Sequence, residues 1–129
     1  MSLKQKMVCL FKEGKYVDIW TVNNILIGML ICIGSEFLAV EFWTSTLIAL
    51  VLFLRWEIFE EHIKTKEKMT NRISDVIFGM LAYVLTYFYF IPWVAREIRA
   101  WFIFLLIIYF LIGFLGFMSN KFEKKNIKC

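Results

Sequence analysis

Histidine occurs once in this chain, at His62, and proline once, at Pro92. A lone histidine leaves no second imidazole for a nitrogen-rich metal set. A lone proline, with only six glycines in 129 residues, argues against a loop-rich or disordered chain. The three cysteines, Cys9, Cys32 and Cys129, have neither metal-site nor redox-motif spacing. No repeat of 20–50 residues, phosphate-cradling glycine loop, nucleophile elbow or low-complexity tract is visible.

Apolar residues fill the space those absences leave. The chain is 60% hydrophobic and 19% aromatic, with a mean hydropathy of +0.68. A water-soluble domain of this size needs more polar side chains to cover its surface. A bilayer-spanning helix needs about 20 mostly apolar residues, and four stretches approach that length: 19–35, 42–59, 73–91 and 101–118. The spacing predicts an all-α integral membrane protein, a four-transmembrane-helix bundle in a single domain over 1–129, with basic tails at 1–17 and 119–129. The first apolar run starts after Lys15 and has no small-residue cleavage site behind it, so no cleavable signal peptide is expected.

Charge sets the expected orientation. Each tail holds four basic residues, and so does the loop 60–72 (Lys64, Lys66, Lys68, Arg72). The connection before the last span has only Arg96 and Arg99, and the first hairpin, "SEFLAVEFW", has none. Basic residues favour the cytoplasmic side, so both termini and the loop 60–72 are expected there. A net charge of +4 placed beside apolar spans indicates topology rather than nucleic-acid binding. The expected setting is the bacterial inner membrane, with membrane lipids and a second copy or another membrane protein as partners. Trp20, Trp43, Trp56, Trp93 and Trp101 fall near span ends, where amphipathic rings sit at headgroup level.

The segment "LFLRWEIFEEH" interrupts this pattern with charge. In the expected topology Asp18 opens the first span, Arg55 and Glu57 close the second, and Asp75 opens the third. All then lie at one depth. Charges within the hydrocarbon are costly and usually turn inward and pair. On the third span Asp75, Gly79, Ala82 and Thr86 recur at helical spacing; on the first, Thr21, Asn24, Gly28 and Ser35 share a face; on the fourth, Tyr109, Gly113 and Gly116 do so. A polar cluster of Asp18, Asn24, Arg55, Glu57, Arg72 and Asp75 is therefore expected. An ordinary structural explanation stands beside it: Asp75 complements a helix N-terminus, Arg72 pairs with it, Glu60 pairs with Lys64, and Arg55 extends to the headgroups. If the cluster is catalytic, Glu57, Glu60 and Asp75 are the candidates. No cofactor is expected; a divalent metal has only a weak candidate set in Glu57, Glu61 and His62.

The order "DIWTVNNILIG", "RWEIFEE", "NRISDVIFGMLAYVL" resembles the VanZ-like group of small bacterial membrane proteins. Asp18, Thr21, Gly28, Trp56, Glu57, Glu60, Arg72 and Asp75 match that pattern, while Asn24 stands where the pattern carries histidine. The resemblance implies an envelope protein, related to one associated with tolerance of glycopeptide antibiotics, more than it implies a reaction. Small diacylglycerol kinases are similar in length, but their glutamate–asparagine signature is missing from this sequence. Two other functions fit the composition: a bacteriocin-immunity or phage-exclusion protein, and a metal-assisted enzyme acting on lipid or isoprenoid headgroups.

Overall fold

The computed structural model describes residues 2–12, 17–63 and 69–123. Every element among them is helical: α1 (Leu3–Leu10), α2 (Ile19–Phe37), α3 (Phe42–Ile63), α4 (Met69–Leu85), a π-helical turn (Thr86–Phe90), α5 (Ile91–Val94) and α6 (Ile98–Glu123). α4, the π turn and α5 form one continuous rod, Met69–Val94. With α2, α3 and α6 it makes four helices long and apolar enough to cross a membrane. This is the architecture of a small integral membrane protein.

The helices outrun the apolar stretches. α3 continues through residues 60–63, and α4 begins at Met69, so eight of the thirteen positions of the expected loop 60–72 are helical. Hydropathy marks the part of a helix that meets hydrocarbon, whereas backbone hydrogen bonding continues into the polar zone. Residues 64–68 of that loop, with its three lysines, lie outside the described residues, as does the C-terminal stretch 124–129. The N-terminal tail contains α1, which a short basic sequence did not announce. Ser2 caps it, accepting from the Gln5 amide at 3.2 Å while the Gln5 side chain accepts from the Ser2 amide at 2.9 Å. Val8 and Phe11 are buried there, Phe11 meets Trp20 edge-on, and Ser119 of α6 donates to the Met7 carbonyl at 3.5 Å.

α4 sits between α2 and α3. α2 runs parallel to it, since Asp18 and Thr21 meet Asn71 and Asp75 while Gly28 meets Gly79 and Tyr83. The approach at Gly28 is backbone to backbone: a Cβ there would fall 2.2 Å from the Gly79 carbonyl oxygen. Small residues provide such closeness in lipid, where no hydrophobic force drives helices together. α3 is antiparallel to α4 and buries a single stripe, Ser45, Ala49, Phe53 and Glu57, each one turn from the next. It faces the stripe Asn71, Asp75, Gly79 and Tyr83 of α4. Phe53 lies over Gly79, and Ser45 hydrogen-bonds the Tyr83 hydroxyl.

Two apolar cores result. Leu26, Ile33 and Leu105 centre one between α2 and α6; Cys32, Ala49 and Tyr83 centre the other among α2, α3 and α4. On α6, Gly116 receives the Trp20 ring, so Trp20 is a packing residue as well as a span-end tryptophan. Gly113, expected to admit a close helix, has open space before it.

Candidate functional site

The site begins with a helix cap. Asp18 is extended, with φ −147° and ψ −171°, and its Oδ1 accepts from the amides of Trp20 at 2.9 Å and Thr21 at 3.1 Å. Thr21 Oγ1 accepts the Asp18 amide in return at 3.2 Å. This capping exchange starts α2 and also fixes the Thr21 hydroxyl, leaving its single proton free to point elsewhere.

That proton goes to α4. Thr21 Oγ1 donates to Asp75 Oδ1 at 2.7 Å, between residues 1% exposed on each side. The Asp18 carboxylate oxygen is 3.5 Å from the same hydroxyl, a longer contact that cannot use the proton already given to Asp75. Asn71, one turn before Asp75, donates from Nδ2 to Asp18 Oδ2 at 3.3 Å. Two carboxylates, a hydroxyl and a carboxamide thus join the beginnings of α2 and α4. Asn71 was not foreseen as a site residue. Its signal was available: it lies four positions before Asp75, on the same helical face.

Glu57 is 8% exposed. Ser45 with Tyr83 and Phe53 with Gly79 set the antiparallel register of α3 on α4. From Phe53, one further turn of α3 carries Glu57 past Gly79 toward the start of α4, the half of that helix that bears Asn71 and Asp75. Glu57 and Asp75 are the two acidic residues buried among the described side chains, and both belong to this end of the bundle. Asn24 is buried on α2, one turn beyond Thr21. Arg72 is half-buried, three positions before Asp75.

Arg55 shares the depth but not the face. It is exposed, two residues from Glu57 and so roughly 160° away around the helix. It lines an outward surface with Leu52, Trp56, Ile58, Phe59 and His62. His62 is exposed as well, its Nδ1 donating to the Ile58 carbonyl of its own helix at 2.8 Å. Five positions separate it from Glu57, about 140° around the helix, so the two side chains diverge. Glu60 and Glu61 are within α3, but their side chains lie outside the described residues. Among the described residues no group of three or more His, Cys, Asp or Glu side chains is placed to hold a metal ion.

Of the expected small and polar stripes, Asp75, Gly79 and Thr86 are buried and Ala82 is half-buried. Ile77 and Leu81 face outward, with Val84 half-buried. Thr21, Asn24 and Gly28 are buried on α2, while Ser35 is half-buried and donates to the Ile31 carbonyl at 2.8 Å. The donor set at the proximal end, where α2 and α4 begin, is oxygen-rich. Such a set suits a proton, a hard cation, or a hydroxyl or ammonium group rather than a soft metal.

Compared with known proteins, the chain matches no family model, no curated protein and no solved structure.

Proposed function

We propose that this chain is a small polytopic protein of the bacterial inner membrane, VanZ-like in kind, with both termini in the cytoplasm and its working site at the cytoplasmic end. That site is the hydrogen-bonded group of Asp18, Thr21, Asn71 and Asp75, with Glu57 toward the same end of the bundle, and it binds a small polar group rather than carrying out an assigned reaction. One observation carries the reading: the 2.7 Å bond from Thr21 to Asp75, which joins the starts of two spans inside the bundle. Three of the positions that resemble the VanZ-like pattern, Asp18, Thr21 and Asp75, belong to this one hydrogen-bonded unit. Buried polar groups are expensive in a membrane protein and commonly mark its function.

The test is protection of a susceptible bacterium against a glycopeptide antibiotic. The wild-type chain should raise the inhibitory concentration, and Asp75→Leu should abolish the rise at equal membrane abundance, whereas Thr21→Ser should retain it. Undiminished protection by Asp75→Leu and Asp18→Ala would reduce the cluster to an anchor. Protection against one pore-forming toxin alone would favour the immunity function instead. Reporter fusions at Lys15, Lys68 and Lys124 should read as cytoplasmic and a fusion at Arg96 as external; the reverse at Arg96 would overturn the orientation.

A further inference from the structure

The opposite end of the bundle is built differently, and there we propose a binding site for a small organic cation of the quaternary-ammonium class. A cavity of about 920 Å³ opens between the end of α2, the first turns of α3 and the junction of α4 with the π turn. That volume is ample for a small organic molecule. Phe42, Trp43, Tyr87 and Phe88 line it, together with the exposed carboxylates Glu36 and Glu41.

Phe42 is the hub of the aromatic wall, its ring centroid 4.4 Å from Tyr87, 5.3 Å from Trp43 and 5.6 Å from Phe88. Three of these pairs are steeply inclined, 68° between Phe42 and Trp43, 62° between Phe42 and Phe88 and 86° between Tyr87 and Phe88, while Phe42 and Tyr87 are tilted by 41°. Inclined neighbours turn their faces in different directions, as the walls of a box do. A ring face carries the negative lobe of the aromatic quadrupole, and cages of this kind attract cations that water solvates weakly.

The remaining lining agrees with that sign. It includes no Lys or Arg, and the connection 36–41 holds none either. Thr46 commits its hydroxyl proton to the Phe42 carbonyl at 2.6 Å, so it does not offer that donor to an anion. Between the two carboxylates Ala39 takes a left-handed φ of 52°, a conformation that non-glycine residues adopt infrequently outside functional or tightly determined turns. A membrane-interface belt explains rings near a span end, but not their convergence on one cavity rimmed by acid. A zwitterionic lipid headgroup is disfavoured, because its phosphate would meet Glu36 and Glu41. A free cation suits the site better. The inference is independent of the orientation proposed above.

The experiment uses the full chain, purified in a nonionic maltoside and titrated calorimetrically with benzyltrimethylammonium. Saturable one-to-one binding is expected, displaced by choline but not by its neutral isostere 3,3-dimethylbutan-1-ol at tenfold higher concentration. Glu36→Gln with Glu41→Gln should weaken binding about tenfold, and Trp43→Leu or Phe88→Leu about three- to tenfold. All four side chains are exposed, so these variants should elute as the wild type does. Trp93→Leu, which alters an exposed ring outside this cavity, should leave affinity unchanged. Absence of saturable binding, equal displacement by the neutral alcohol, or undiminished affinity in either the paired glutamine variant or both leucine variants would overturn the proposal.

Discussion

α4 is held by two neighbours in two different ways. Against α2 it packs backbone on backbone, Gly28 on Gly79, with a polar lock one to two turns away at Thr21 and Asp75. Against α3 it packs by insertion, with the Phe53 ring over Gly79 and a Ser45–Tyr83 hydrogen bond further along. The first interface has no side chain to move aside, whereas the second is made of side chains. Interfaces of the first kind should be brittle to added volume, and those of the second repairable.

The largest effect is expected at Gly28. A methyl group there meets the Gly79 carbonyl, so Gly28→Ala should cost about 2–3 kcal/mol of stability in a denaturing-detergent titration. Phe53→Leu should recover none of it. A cost near zero would show that the two helices can part without penalty.

Gly79→Ala comes next, at about 1–2 kcal/mol, because its new methyl meets the Phe53 ring at 2.4 Å. Here Phe53→Leu should restore part of the loss, and the double-variant cycle measures how much. Equal rescue at Gly28 and Gly79, or rescue at neither, would erase the distinction between the two interfaces.

Thr21→Val retains the shape but removes both the donor to Asp75 and the acceptor of the Asp18 amide, a loss of about 1–2 kcal/mol. Thr21→Ser should lose little. A serine variant as weak as the valine one would mean that methyl packing, not the hydrogen bonds, holds this end. Ser45→Ala should show the smallest change, about 0.6 kcal/mol, the usual worth of a hydrogen bond between membrane helices.

Span number and the inward turn of the third helix were legible because apolar length and helical spacing are local properties. Asp75, Gly79 and Thr86 needed only a 3.6-residue period to be placed together. The end of the bundle was legible too: Asp18 and Asp75 belong to the starts of their helices and Glu57 to the last turns of an antiparallel one. Rotation about α3 was harder to read. That helix is apolar nearly all round, so nothing in the sequence distinguishes the stripe Ser45–Ala49–Phe53–Glu57 from the face bearing Arg55, which turns away from the cluster the sequence predicts for it. Asn71 gives little signal because it precedes the apolar run. α1 is hard to see in the sequence because eight residues with three polar side chains give little periodic signal, and their helix depends on a cap and on α6.

Pro92 illustrates a third kind of difficulty. A proline after an apolar run reads as the end of a helix, yet here it sits in the first turn of α5, and the rod continues to Val94. The π turn over Thr86–Phe90 precedes it, with the Ile91 amide reaching back to the Thr86 carbonyl and the Thr86 hydroxyl held by the Ala82 carbonyl at 2.7 Å. Such a turn carries one more residue than an α-helical turn, so the helix beyond it is advanced by about 100°. Before the slip, Tyr83 and Val84 serve the core shared with α3; after it, Phe90 joins the core shared with α6, and Ile91 reaches both. In the arithmetic of insertions and deletions, that extra residue is not redundant. Deleting one position between 86 and 90 would make the helix more regular and the protein less complete, because a rod in single phase can present its packing face to only one of the two cores.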